Sequence, residues 1–347
     1  MSIIVGDKQM ETCLIKPRGE HMALNILFFG TNHPKSIKPL YALDRKHQIL
    51  GVVEWSPKED TVKKILRQIY HYGKGLRGEV KTLRSFAKNR KIPHINTHSC
   101  PITSGEFEEK IKNLQPDLIC VSNFGERIPL NIIEIPKHGG INAHGSYLPN
   151  YQGAIPWFWQ YYNMEKEGGV TIHRMSEKED QGEILLQEKF PIELGLRENQ
   201  LLQRITKHTT KLLMETVEEI EQTGGIEANE GNIIPKEPEN LFKGRCIQRG
   251  EKFIDWNIWE VERVYHFLRG TDAMELDPPF WGGIWEVQDY KKMKTPSGKA
   301  TSDARRRQPG DIRKTKEGYR LLCKNGEVLL QPHFSFKALI TGMLAKR

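Results

Sequence analysis

Cysteine is scarce. The chain carries Cys13, Cys100, Cys120, Cys246 and Cys323, an odd number with no C-x-x-C pair, so neither a disulfide framework nor a zinc ribbon is implied. Long hydrophobic runs are also absent. Residues 26–29 and the interrupted stretch 128–135 are the longest apolar stretches, far short of the ~20 residues that span a bilayer, so no membrane insertion is expected. There is no Gly-x-Gly-x-x-Gly and no Gly-x-x-x-x-Gly-Lys-Ser/Thr. A fixed-period repeat and a low-complexity tract are lacking too. His138 and His144 stand six apart with no Cys or acid at ligand spacing, so no metal is expected. The first 23 residues contain Lys8, Lys16, Arg18 and three acids, with no apolar core or small-residue cleavage site. No secretory signal is read there, and a cytoplasmic protein is expected.

What remains is an ordinary globular composition of 37% hydrophobic and 9% aromatic residues in 347, ample for a core. Lys and Arg number 52 against 44 Asp and Glu, a formal charge of +8. That mild excess permits nucleic acid or a phosphorylated ligand as partner and demands neither.

β-prone runs at residues 24–30, 49–54 and 116–122 alternate with charged or amphipathic stretches, which reads as a parallel sheet covered on both faces. Residues 56–78 form a Lys- and Arg-rich loop, followed by a helix over 80–90. Leu201, Leu202, Ile205, Leu212, Leu213, Val217 and Ile220 recur at helical spacing and predict a helix over 200–221, ended by Gly224-Gly225. The expected division is an N-terminal extension 1–23, a first domain 24–223, a linker 224–244 and a small β-rich, barrel-like C-terminal domain 245–347. In the last, one helix is expected over 258–269 and strands at 283–287, 319–323 and 327–331. Residues 291–307 carry four Lys and three Arg against one Asp. This basic loop reads as solvated, with nucleic-acid binding as the minority reading.

Chemistry concentrates in Gly140-Ile-Asn142-Ala-His144-Gly-Ser146-Tyr-Leu148-Pro149-Asn-Tyr151-Gln-Gly153-Ala-Ile-Pro156. If residues 140–143 end a strand, Asn142 and His144 share a face, because side chains alternate with period two. A second strand over 169–175 leads to a turn with Asp180-Gln181-Gly182, then a third strand over 183–190. An amide, an imidazole and a carboxylate are the parts needed for acyl transfer to an amine. Taken singly, such residues are mostly structural, so chemistry alone leaves the assignment open. His173 reads as a packed, hydrogen-bonded side chain rather than a catalyst. The aromatic run 157–162 reads as core packing rather than a base-stacking platform.

Asn-x-His at 142 and 144, Ser-x-Leu-Pro at 146–149, Tyr-x-Gly at 151–153, Pro156, Gly-Val-Thr at 169–171 and Asp-x-Gly at 180–182, in this order and spacing, resemble the formyltransferase family. Pro116-Asp117-Leu-Ile and Phe124-Gly125-Glu-Arg-Ile128-Pro129 resemble the strand and folate-facing loop before the catalytic strand. The resemblance covers residues 24–221 well and the rest loosely. It implies a Rossmann-like α/β domain with a parallel-rich sheet and a one-carbon transferase that uses 10-formyltetrahydrofolate as co-substrate. Asn142 and His144 would then stand at the formyl carbon, with Asp180 tuning His144. The folate would be bordered by Phe124, Ile128, Pro129, Glu179, Gln181 and Gly182, and the acceptor would meet Gly30, Thr31, Asn32, Ser146 and Tyr151.

Departures bear on the acceptor. Gln152 stands where many relatives have Arg. His173 stands where methionyl-tRNA enzymes tend to have Met, and residues 56–78 lack the Pro-Ala-Gly-Arg-Gly type loop of that branch. Both of the latter lean toward a small nucleotide-linked amino sugar as acceptor, with tRNA as the alternative. A formyltetrahydrofolate hydrolase or a non-catalytic folate- or nucleotide-binding protein ranks lower. The oligomeric state is not legible.

Overall fold

The computed structural model describes residues 23–55, 81–225, 242–248, 250–293, 308–335 and 339. The expectations for residues 1–22 and 56–78, for most of the linker and for the basic loop beyond residue 293 lie outside them.

Each apolar run read from the sequence becomes a strand. β1 (Asn25–Gly30), β2 (Gln48–Glu54), β3 (His94–Asn96), β4 (Leu118–Ser122), β5 (Gly140–His144), β6 (Glu167–Arg174) and β7 (Ile184–Pro191) form one sheet in the order β3-β2-β1-β4-β5-β6-β7. Strand alternation splits the core in two. Ile26, Phe28, Leu118 and Cys120 face one side with Ile37, Leu40 and Leu213, whereas Leu27, Phe29, Ile119 and Val121 face the other with Phe107, Ile111 and Ile132. Both faces are therefore buried, as the near-continuous apolar strands imply.

Helices α1 (Pro34–Leu43), α2 (Leu83–Arg90), α3 (Gly105–Leu114) and α4 (Leu130–Ile133) precede β5; α5 (Pro156–Tyr162) and α6 (Glu198–Thr223) follow it. The periodic stretch predicted over 200–221 is α6, which ends where Gly224 takes a left-handed φ of 75°. Not every strand is parallel. β1 to β5 pair in parallel, but β5–β6 and β6–β7 are antiparallel. The connection from β5 to β6, residues 145–166, holds only the short α5.

The C-terminal unit holds α7 (Val261–Gly270) and an antiparallel sheet ordered β8-β11-β10-β9, made by β8 (Gly283–Lys292), β9 (Ile312–Thr315), β10 (Gly318–Cys323) and β11 (Gly326–Phe334). The barrel-like expectation takes the form of this four-stranded sheet with β8 and β9 at its edges. The helix expected over 258–269 starts at Val261, because Asp255 first closes a turn on the N–H groups of Asn257 and Ile258.

The aromatic run on α5 is core. Phe158 is fully buried, with ring centroids 4.8 Å from Phe253 and 5.4 Å from Phe267. It joins the large sheet to the C-terminal unit through edge-to-face aromatic contacts. No described helix is long and apolar enough to cross a membrane.

Candidate active site

The site lies at the carboxyl end of β5, against β6 and the turn after it. Antiparallel register places Asn142 opposite His173 and His144 opposite Thr171. Ile141, one residue out of phase with Asn142 and His144, goes into the core. The predicted shared face of Asn142 and His144 is thus occupied, and both side chains converge on Asp180.

Asp180 sits in the turn between β6 and β7 with φ +53°, a left-handed conformation uncommon for a residue other than glycine and often found where backbone strain serves a site. The turn is drawn tightly onto the end of β6. A Cβ at Gly182 would lie 1.8 Å from the Arg174 carbonyl oxygen, so only glycine fits there. The Asp180 carboxylate is buried, 6% exposed, and meets three partners. His144 Nδ1 stands 3.4 Å from Oδ2, His173 Nε2 stands 3.4 Å from Oδ1, and the Gly153 N–H donates to Oδ2 at 2.8 Å. Burial alone would push its pKa up. The His144 imidazole first, and the Gly153 N–H with it, outweigh that and hold it at about 2, below the ordinary 3.8.

Fixed acceptors assign the histidine protons. A backbone carbonyl only accepts, so His144 Nε2 donates to Tyr151 O at 2.9 Å and His173 Nδ1 donates to Arg174 O at 2.8 Å. His173 Nε2 is then left to accept from the Asn142 amide, 3.1 Å away. The second amide proton of Asn142 faces Asp180 Oδ1 at 3.5 Å, a contact long enough for a better acceptor to take it.

Asn142, His173 and Asp180 form the inner wall of a cleft whose other sides are Val121, Phe124, Ile128 and Met175, with Arg127 and Lys178 at its rim. The Arg127 guanidinium donates to the Glu177 carbonyl at 2.5 Å, linking the loop after β4 to the turn that carries Asp180. His144 does not line this cleft. A cleft with an apolar wall of Val121, Phe124, Ile128 and Met175 that ends on an amide, an imidazole and a carboxylate can hold a flat aromatic ligand and move a proton at its inner end.

Of the residues expected to border the folate, Phe124, Ile128 and Glu179 line the cleft. Pro129 and Gln181 are only chain neighbours of residues that do, and Gly182 lies two residues beyond Asp180. Pro129 caps α4, and Gly182 makes the close turn.

The side chains expected to meet an acceptor have hydrogen-bond partners within the protein, and none of them lines the cleft. Thr31 Oγ1 accepts from Asn123 Nδ2 at 2.7 Å, and Asn32 is held between Glu54 Oε1 at 2.7 Å and the Leu83 N–H at 2.8 Å. Ser146 is fully buried and donates to Asn150 O at 2.7 Å. Buried Tyr151 turns its phenol to Glu165 at 2.5 Å; only its carbonyl reaches the site. Gly30 has a packing role, since a Cβ there would meet the Ser36 Cβ at 2.7 Å.

His173 was read from the sequence as a packed, hydrogen-bonded side chain, and what that reading did not name is its partners in the site. It is buried, and it also touches Asn142 and Asp180. The signal was its alternation along β6, but its use required the antiparallel register with β5.

Residues 72–217 match the Formyl transferase family. Methionyl-tRNA formyltransferase of Alkaliphilus oremlandii is 30% identical over 271 residues, 76% of this chain and 79% of that protein. Its counterpart in Caldanaerobacter subterraneus subsp. tengcongensis is 27% identical over 89% of this chain and 90% of that protein. Among solved structures, the N-formyltransferase of Helicobacter canadensis, in complex with folinic acid and dTDP-3-aminofucose, covers 89% of this chain and 100% of its own at 16% identity and a TM-score of 0.57. The sugar 3N-formyltransferase WlaRD, with dTDP and 5-N-formyl-THF, covers 89% and 97% at 16% identity and a TM-score of 0.58. These two likenesses are of fold. With an Asn-x-His strand end and an Asp turn brought together as the family resemblance implies, and with 30% identity across most of a full-length relative, the chain belongs to the formyl transferase family.

Proposed function

We propose that the chain transfers the formyl group of 10-formyltetrahydrofolate to a primary amine on a nucleotide-linked amino sugar, with Asn142, His144 and Asp180 as its catalytic residues. The observation that carries the reaction is the convergence of Asn142, His144 and His173 on one buried carboxylate at the inner end of an apolar cleft. Phe124, Ile128 and Val121 suit the flat pterin.

In this reading the acceptor amine attacks the formyl carbon and a new C–N bond forms. The long-contact proton of Asn142 supports the resulting oxyanion. Collapse breaks the bond from the formyl carbon to the folate nitrogen. The proton lost by the amine passes through the His144–Asp180 pair to that leaving nitrogen. His173 holds the Asn142 amide through Nε2, which keeps its nitrogen, not its oxygen, facing the carboxylate.

On the acceptor side, the histidine at 173, where the tRNA branch tends to have methionine, favours the sugar. The curated relatives at 27–30% identity favour the second reading, methionyl-tRNA. The test offers the formyl donor with UDP- and dTDP-linked amino sugars in parallel with charged initiator tRNA, at low and moderate salt, and follows the formylated product by mass. Formylated sugar supports the proposal. Formylation of the tRNA alone, strongly weakened by salt as several phosphate contacts require, selects the second reading, and formate release without any acceptor would replace transfer by hydrolysis.

A further inference from the structure

The chain between the two sheets does more than connect them. Within the expected linker, Phe242 O accepts from the Tyr151 N–H at 2.6 Å, the Gly244 N–H donates to Gln152 O at 2.6 Å, and Gly244 O accepts from the Ile155 N–H at 2.9 Å. One residue on, Arg245 O accepts from Trp159 Nε1 at 2.8 Å. Residues 242–245 are therefore stitched along the loop from Tyr151 to α5, and the Phe242 ring stacks on Tyr151 at 5.6 Å and 12°.

That loop holds the reacting groups by its backbone: Tyr151 O fixes His144 Nε2, and the Gly153 N–H fixes Asp180 Oδ2. We propose that residues 242–244 are a strap that sets the relative position of His144 and Asp180, with Gly244 a positioning residue for the transfer reaction. The inference rests on the roles given to those two residues under the proposed function.

Steric detail singles out Gly244. A Cβ there would stand 2.9 Å from Tyr151 O, the oxygen that holds His144, and 3.2 Å from both Gln152 O and the Pro156 nitrogen. All three are backbone atoms, which cannot rotate out of the way. Gly153 has the matching constraint, with φ +112° and a Cβ position 3.0 Å from Gly244 O. Two backbones thus approach at a distance that only paired glycines allow, and a methyl group at 244 must displace the carbonyl to which His144 is anchored. Because the strap leads into the C-terminal unit, and α5 at the end of the same loop is joined to that unit through Trp159–Arg245 and Phe158–Phe253, docking of that unit is read at the catalytic pair.

The experiment uses the full chain with ¹⁵N-labelled histidine, comparing wild type with Gly244→Ala, Phe242→Ala and Phe242→Tyr by side-chain NMR and steady-state kinetics. Gly244→Ala is expected to shift the His144 ring-nitrogen signals and to lower kcat ~10-fold or more, as sub-ångström to 1 Å misplacement of a catalytic group does. KM for the folate should stay within about twofold, because Gly244 does not line the cleft. Phe242 is half exposed, so Phe242→Ala should fold normally. It should reproduce the shift more weakly, with Phe242→Tyr restoring wild-type signals. Unchanged His144 signals and kcat in folded Gly244→Ala would overturn the strap; if that variant fails to fold, unchanged signals in Phe242→Ala would do so. A wild-type protein that formylates no amine would sink the proposed function while leaving the NMR comparison to judge the strap.

Discussion

Replacing Asp180 by Asn keeps the shape of the side chain and removes its charge, which tests the electrostatic core of the site. In the fold Asp180 has a pKa of about 2 against the ordinary 3.8. At 1.36 kcal/mol per unit, the ionised form is favoured by about 2 kcal/mol. The depressed value fixes the sign. This contribution is complete above about pH 5, where the unfolded chain is also ionised, and it fades as the pH falls toward 2, with about half gone near pH 3. Urea unfolding of wild type and Asp180→Asn at pH 7 and pH 3.2 measures it as a double difference. The wild-type advantage should shrink by about 1 kcal/mol at the lower pH. Catalysis should suffer more, since the neutral amide, whose oxygen must stay on the Gly153 N–H, takes the carboxylate out of the proton path. A loss of about a hundredfold or more in kcat follows. A wild-type advantage independent of pH, or turnover near wild type in the variant, would refute the assignment of the carboxylate.

Asn142→Ala and His144→Ala should each lower kcat by about a hundredfold, and the double variant should lose little more, because the groups act as a unit; additive losses would count against one shared site. His33 caps α1 by accepting from the Lys35 N–H through Nδ1 at 3.2 Å, and burial first, then Lys35, lowers its pKa from 6.5 to about 4. Its neutral form therefore supports the fold above about pH 6.5 and that support is lost as pH falls toward 4, so His33→Asn, a cap that does not titrate, should narrow its thermal deficit to wild type, or overtake it, between pH 7 and 4.5. Phe158→Ala, which empties a fully buried aromatic site between the sheets, should cost about 3–5 kcal/mol in chemical unfolding. Asn32→Ala should lower stability by about 1–3 kcal/mol, because buried Glu54 loses a partner, while acceptor KM stays within about twofold; a large rise in KM with unchanged stability would return Asn32 to the acceptor.

The strands were legible because both sheet faces are buried, which makes each strand a short apolar run with a glycine or polar stop. Antiparallel β6 and β7 were not distinguishable from parallel strands, since pairing direction leaves no mark on such runs. β3 and β9, at three and four residues, are too short to show a period. In the site, Asn142 and His144 could be placed on one face by alternation alone. Asp180 could be noted as a carboxylate beside a glycine in a turn, but its place next to His144 came only from the family resemblance, because a single acid in a turn has no local signature. His173 needed the register between two strands, and the strap needed a contact between residues some ninety positions apart. Both are properties of tertiary pairing, which a periodicity search does not see.

The donor side and the acceptor side of the site are built from different materials, and this explains why one was readable and the other was not. Stabilising an oxyanion and moving a proton require an amide, an imidazole and a carboxylate at fixed separations, so their identities are constrained and they stand out as a motif. On the presumed acceptor side, Thr31, Asn32, Ser146 and Tyr151 bond instead to Asn123, Glu54, Asn150 and Glu165. Their side chains shape the loops. What those loops can offer an acceptor is then chiefly backbone N–H and C=O groups, which any residue supplies. Recognition through backbone groups is set by loop conformation and by what packs behind the loop. The loop after β5 takes its conformation from residues 242–244, and these arrive with the C-terminal unit. Acceptor choice is therefore expected to follow the C-terminal unit and its attachment more closely than the Asn-x-His motif, and a chain keeping that motif can change acceptor without changing its chemistry.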